Sequence, residues 1–126
     1  MALNSYKDLV VWQKSYRLVI EIYQLTESLP KSEQFGLVSQ MRRSATSIPS
    51  NIAEGQQRHN LKEYRHFLGI AKGSAAELET QLLLCRDLYQ RDTTSQLLLL
   101  YEVQKMLGSL NRKLEPITSL GFLAGG

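Results

Sequence analysis

The sequence holds one cysteine, Cys85, so no disulfide can close within the chain, and a reducing compartment is expected. Long hydrophobic runs are missing too, because charges interrupt every apolar stretch before it could span a bilayer. The opening "MALNSYKDLVVWQKSYRLVIEIY" has no apolar segment ending in a small-residue cleavage site. The expectation is therefore a soluble, cytoplasmic protein with no membrane partner. An excess of one charge is scarce as well: the net charge is only +3, too mild on its own to name a nucleic acid as partner.

Histidine is limited to His59 and His66, which leaves little for metal chemistry. Glu63 and His66 form one Glu-x-x-His match. Di-iron carboxylate bundles that use this spacing need a second copy and two further inward glutamates. Both residues lie off the apolar stripe of their segment, which favours a surface pair over a ligand pair. Cys85 has no His or Cys at ligand spacing and reads as a packed thiol. Gly69 and Gly73 fall inside a helical pattern rather than after a strand, so no phosphate-cradling loop is expected there. No catalytic residue, metal or cofactor follows from the sequence.

What is present is a strong 3,4 periodicity in 126 residues that are 43% hydrophobic, enough for one domain with its own core. The spacing predicts four helices and no strand, at about 6–27, 33–55, 60–89 and 95–115. Pro30 ends the first and Pro116 follows the fourth, with the tail 117–126 expected to be disordered. Asn60 is placed to cap the third helix, with Glu63 at the capping-box position. On that helix Leu61, Tyr64, Leu68, Ala71, Ala75, Leu78, Leu82, Cys85 and Tyr89 form one apolar stripe; on the fourth, Leu100, Val103, Leu107, Leu110 and Leu114 do. The fold class expected is all-α, an antiparallel up-down-up-down four-helix bundle.

The first helix carries two stripes: Leu9, Trp12, Tyr16, Val19 and Tyr23, and beside them Val11, Leu18, Ile22, Leu25 and Leu29. A bundle helix normally buries one apolar arc of about 100°. The second arc implies homo-oligomerisation, unless long side chains of neighbouring helices cover it within the monomer. Trp12 and the tyrosines could also offer a base-stacking platform, although aromatic stripes at this spacing more often serve a core.

The second helix puts Val38, Met41, Ala45, Ile48 and Ile52 on one face, yet contains Pro49. Proline removes a donor and frees the Ala45 carbonyl, so a kink or a division is expected there, with Ser44, Thr46, Ser47, Ser50 and Asn51 available to bond freed backbone groups. Arg42 and Arg43 lie off the apolar face. Between Gln34 and Lys72 six basic residues (Arg42, Arg43, Arg58, Lys62, Arg65, Lys72) face only Glu54 and Glu63, a local net of +4. The remainder, with nine basic and ten acidic residues, is −1. Arg58, Lys62, Arg65 and Lys72 follow 3,4 spacing, with Gly69 in the missing place and His59 and His66 beside them. Such a stripe can follow a phosphate backbone, or be an ordinary solvated face.

The segments "YKDLVVWQKSYRLVIEIYQLT", "FGLVSQMRRSATSIPSNIAEG" and "EYRHFLGIAKGSAAELETQL" closely resemble the bacterial four helix bundle proteins encoded in intervening sequences of 23S ribosomal RNA genes. The resemblance runs in order from about Tyr6 to Tyr89. It implies kinship with the accessory protein of diversity-generating retroelements, a homopentameric barrel of bundles with a basic surface, and binding of structured RNA or DNA or of a reverse transcriptase. It also implies a signature turn of Arg42, Arg43, Ser47, Ile48, Pro49, Asn51, Ile52, Ala53, Glu54 and Gly55, faced on the third helix by Phe67, Ala71, Gly73, Ser74, Glu77 and Leu78. In that turn Asn51, Glu54 and Arg43 would be available for buried polar bonds. After "NIAEG" this chain has "QQRHNLKEY", a thinner basic loop than family members commonly carry. The expected function is non-enzymatic nucleic-acid binding through Arg42, Arg43, Arg58, Lys62, Arg65 and Lys72. A protein-interaction scaffold and, last, an enzyme or metal carrier are the alternatives.

Overall fold

The computed structural model describes residues 5–115. Four helices carry most of them: α1, Val10–Thr26; α2, Leu37–Gln56; α3, Leu61–Tyr89; and α4, Thr94–Lys113. Among the described residues there is no strand. The tail expected to be disordered, 117–126, lies outside the described residues.

Two boundaries differ from the sequence expectation, both because of local backbone chemistry. Leu9 is extended (φ −75°, ψ 127°), so Tyr6–Asp8 forms a separate 3-10 turn and α1 starts only at Val10. Before α2, Lys31–Glu33 is another 3-10 turn, and the Glu33 carboxylate accepts the Leu37 amide at 3.0 Å, capping the helix from four residues upstream. The other carboxylate oxygen accepts the Tyr89 hydroxyl, tying the start of α2 to the end of α3. Gly36 makes room for this: a Cβ there would sit 2.7 Å from Glu33 Oε1. At α3 the capping box forms as expected, with Asn60 Oδ1 accepting the Glu63 amide at 2.9 Å and Asn60 Nδ2 donating to the Glu63 carboxylate at 3.0 Å.

Each helix packs against two neighbours, α1 on α2, α2 on α3, α3 on α4 and α4 on α1, closing a ring consistent with a four-helix bundle. Lys14 and Glu21 of α1 meet Glu102 and Ser95 of α4. Across the next seam, Ser44 and Ser47 of α2 meet Gln81 and Ser74 of α3. Inside, Leu18, Ile22, Met41, Ile48, Ile52, Leu68, Leu78, Leu82, Leu100, Val103 and Leu107 are fully buried, each contributing about 1.5–3 kcal/mol for the larger aliphatics. The expected face of α2 is thus the core face. On α3, Leu61 departs from expectation and is exposed, because it starts the helix at the rim of the bundle.

The two stripes of α1 separate cleanly. Val11, Leu18 and Ile22 enter the core, joined by Ser15 and Thr26, whose hydroxyls donate to the Trp12 and Ile22 carbonyls. Leu9, Trp12 and Val19 are half-buried, while Tyr16 and Tyr23 remain 53% and 41% exposed. Cover from neighbouring side chains within the monomer is therefore incomplete.

The α2–α3 seam is closely packed and carries polar bonds. Ser47 Oγ lies 2.7 Å from Ser74 Oγ, and Asn51 Nδ2 donates to both the Ser47 carbonyl and hydroxyl. Lower down, a Cβ at Gly55 would lie 3.0 Å from Phe67 Cβ and Tyr64 Cδ1, and 3.1 Å from the Tyr64 carbonyl. Three residues assigned by resemblance to this turn and its facing helix are not buried in the seam. Gly73 faces open space on the outside of α3, Glu54 is exposed, and Arg43 is exposed without a buried polar bond. The reason is helical phase: 73 falls on the far side of α3 from 71, 74 and 78, which are buried. Pro49 is buried, and α2 runs through it as one element rather than dividing. The neighbouring hydroxyls and amide bond the Met41, Arg42, Arg43 and Ser47 carbonyls.

Two stability outcomes follow. Gly55→Ala will destabilise the fold by about 1–3 kcal/mol, since the crowding atoms include backbone. Gly69→Ala and Gly73→Ala, where a Cβ meets nothing within 4 Å, will stabilise it by about 0.5–1 kcal/mol. Thermal unfolding followed by circular dichroism separates the two signs. The Tyr89 hydroxyl and the Leu37 amide hold the Glu33 carboxyl below its ordinary value of 4.5. A depressed carboxyl stabilises the fold above its unfolded pKa and loses that contribution as pH falls through the folded one. The difference in melting temperature between wild type and Glu33→Gln should thus be full at neutral pH and shrink below pH 4.5. A difference independent of pH would show that charge plays no part.

Candidate nucleic-acid interface

The cations assigned from sequence fall into different settings. Arg58 stands in the loop before α3, not on the helix, and folds back on itself: its guanidinium pairs with Glu54 at 2.5 Å and Glu63 at 3.7 Å and lies 4.8 Å over the Phe67 ring. The expected four-member stripe on α3 thus loses its first member. Arg65 leans from α3 to α4, donating to Asn111 Oδ1 at 3.1 Å and lying 3.7 Å from the Glu115 carboxylate. Lys62 and Lys72 are exposed on α3 and have no hydrogen-bond or ion-pair partner.

The adjacent arginines of α2 diverge, because successive helix positions point about 100° apart. Arg42 turns to α1: it lies 4.3 Å over the Tyr23 ring, donates to Thr26 Oγ1 at 2.9 Å, and reaches the Glu27 carboxylate at 3.8 Å. Arg43 turns to α3 and lines an open polar groove of about 370 Å³ with Gln40, Ser44, Ser47, Ser74, Glu77 and Gln81.

Two further cations come with this end of the bundle. The bond from Arg65 to Asn111 brings the last turn of α4 beside the first turns of α3, and there Arg112 and Lys113 are exposed. Sequence reasoning missed them because it counted charge along the chain, where they are far from Lys62. The signal that could have found them is topological: in a bundle with short loops, the end of the fourth helix returns to the start of the third. His59 and His66 are also exposed here, with His66 edge-on to Phe67 at 5.2 Å.

A second surface lies between α1 and α2. Tyr6, Trp12, Tyr16, Val19, Ile20 and Pro49 line a mainly apolar groove of about 430 Å³, with Trp12 in ring contact with Tyr6 (5.4 Å) and Tyr16 (5.1 Å). On the opposite helices, Leu84, Leu88, Leu98 and Tyr101 are also exposed.

Among the described residues no group of three or more His, Cys, Asp or Glu side chains could hold a metal ion. The Glu63 carboxylate bonds the cap residue Asn60 and pairs with Arg58. Cys85 is buried in the core, where desolvation raises its thiol pKa and leaves it a poor nucleophile. No helix among the described residues is long and apolar enough to cross a membrane.

The architecture has a counterpart among solved structures. A protein with unknown function from the S23 ribosomal protein family of Bacteroides thetaiotaomicron VPI-5482 matches with a TM-score of 0.72 and 27% identity, covering 81% of this chain and 98% of that one. No curated protein matches the sequence. The model of the 23S rRNA-intervening sequence protein family matches residues 7–112, almost the whole described chain and the same family that "RRSATSIPSNIAEG" resembles, and the chain belongs to it.

Proposed function

We propose that this chain is a non-enzymatic, cytoplasmic, homo-oligomeric bundle that binds structured RNA or DNA through cations of α2, α3 and the end of α4. The observation that carries the reading is a set of exposed cations with no partner inside the bundle, spread over α3, the α2–α3 groove and the end of α4. Lys62, Lys72 and Arg43 have no internal partner, and Arg112 and Lys113 add to them. Exposed ion pairs such as Arg58–Glu54 are worth no more than about 1 kcal/mol, so Arg58 and Arg65 can exchange a carboxylate for a phosphate at small cost. In this reading the bundle is antiparallel, up-down-up-down, with α2 bent at Pro49.

Assembly is proposed through the aromatic groove of α1 and α2, occupied by a second copy. The chain offers two different apolar patches, the groove and the Leu84–Leu98 face, and unlike patches suit a head-to-tail contact that closes a ring. That geometry agrees with the homopentamer implied by the family resemblance. The second reading, an accessory scaffold for an acidic protein such as a reverse transcriptase, draws on the carboxylates that already satisfy Arg42, Arg58 and Arg65.

Fluorescence anisotropy of a labelled RNA hairpin and a DNA duplex across a salt series tests the nucleic-acid reading. The expected log–log slope corresponds to roughly four or more released counterions, reduced by about three in a Lys62→Glu, Lys72→Glu, Arg112→Glu variant. A flat response would discard this reading in favour of a protein partner. For assembly, light scattering of Tyr16→Glu with Ile20→Lys should fall to the 14.3 kDa of one chain while helicity is kept. An unchanged oligomeric mass would move the contact elsewhere.

A further inference from the structure

The polar groove between α2 and α3 has an unusual distribution of satisfied and unsatisfied groups. Its floor is closed: the Ser47 hydroxyl bonds Ser74, and the Ser44 hydroxyl donates to Gln81 Oε1 at 2.6 Å. Its rim is open. Arg43 and Glu77 both line the groove, both are exposed, and neither has a hydrogen-bond or ion-pair partner, including each other. Two opposite charges that share a groove without pairing suit a ligand that presents acceptors to one and donors to the other.

We infer that this groove reads the edge of a guanine in an unpaired segment of the bound strand, an inference that rests on the nucleic-acid reading above. Guanine alone among the bases carries two adjacent donors, N2–H and N1–H, followed by two adjacent acceptors, O6 and N7. A carboxylate accepts the donor pair and a guanidinium donates to the acceptor pair, so Glu77 and Arg43 match the two halves of one base edge. Adenine offers Glu77 an acceptor at N1, and uracil sets a single donor between two carbonyls. The free amide of Gln40 and the Gln81 NH2 group extend the same rim. No aromatic ring lines the groove, so the faces of the base must stack on neighbouring bases of its own strand. That selects a nucleotide within a loop over a free nucleotide, and the groove, about 370 Å³, has room for it.

The test compares hairpins that differ at one loop base, by fluorescence anisotropy at fixed salt: guanine, adenine, inosine (no N2 amine) and 7-deazaguanine (no N7). Wild type should bind the guanine loop about tenfold tighter than the adenine loop, with inosine and 7-deazaguanine each losing part of that gain. Glu77→Gln should equalise guanine and inosine, and Arg43→Gln should equalise guanine and 7-deazaguanine. Salt-dependent binding with no base preference, or a preference that survives both substitutions, would overturn the guanine site and leave the nucleic-acid reading standing. Binding absent from every hairpin would overturn both. Displacement by stoichiometric guanosine monophosphate would overturn the strand-borne assignment in favour of a free nucleotide.

Discussion

The approach of α2 to α3 is the constraint on which the other features depend. Two helices separated by full-sized side chains cannot share a Ser47–Ser74 hydroxyl bond at 2.7 Å, nor place Gly55 against the Phe67 and Tyr64 side chains. Small residues at 44, 45, 47, 71, 74 and 75 make that distance possible, and the polar ones among them are satisfied across or along the seam rather than left buried and unpaired. Close packing here sets the direction in which both helices point their remaining faces. Arg43 and Glu77 border the same groove because their helices meet so closely, and Arg42, one position away, is thereby sent to α1.

Charge in this molecule is therefore a poor proxy for available charge. The +4 excess between Gln34 and Lys72 counts Arg42, Arg58 and Arg65 at full value. In the fold, Arg42 serves as a stack on Tyr23, Arg58 as the lid of the capping turn, and Arg65 as the tie between α3 and α4. Each guanidinium combines a planar face with several donors, so it joins aromatic and carboxylate neighbours where a lysine would not. The lysines of the same region, Lys62 and Lys72, stay unengaged. The division of labour by residue type explains why a linear count misjudges which cations can meet a phosphate.

Much of the fold was legible because its information is local and periodic. The α3 stripe from Leu68 to Cys85 is buried as its spacing requires, and the Asn60–Glu63 box forms where the two residues stand three apart. What was not legible depends on distant partners or on single dihedral angles. Nothing in "YKDL" announces that Leu9 is extended and detaches a 3-10 turn from α1. Glu33 looked like the first residue of a helix; its role as a cap needs Gly36 behind it and Tyr89 from the far end of α3. Gly73 shares its size with the seam residues but not their helical phase. For the candidate site, Lys62 and Lys72 could be found from sequence, whereas Arg112, Lys113 and the placing of Arg43 and Glu77 on one groove required the packing of helices.

The α1 surface separates a buried stripe from an exposed aromatic one within one helix. Its core stripe of Val11, Leu18 and Ile22 fills the interior, Leu9, Trp12 and Val19 of the aromatic stripe pack against that core from the side, and Tyr16 and Tyr23 remain 53% and 41% exposed. The core closes within one chain, so the exposed tyrosines are under little packing demand from the interior. Tyrosine and tryptophan suit that half-exposed position, since each combines a large apolar area with a polar tip that tolerates solvent. Arg42 reinforces the arrangement by resting on Tyr23 and bonding Thr26, which holds the rim of the face in place. The same helix thus contributes one surface that is buried for the fold to exist and another that stays partly exposed.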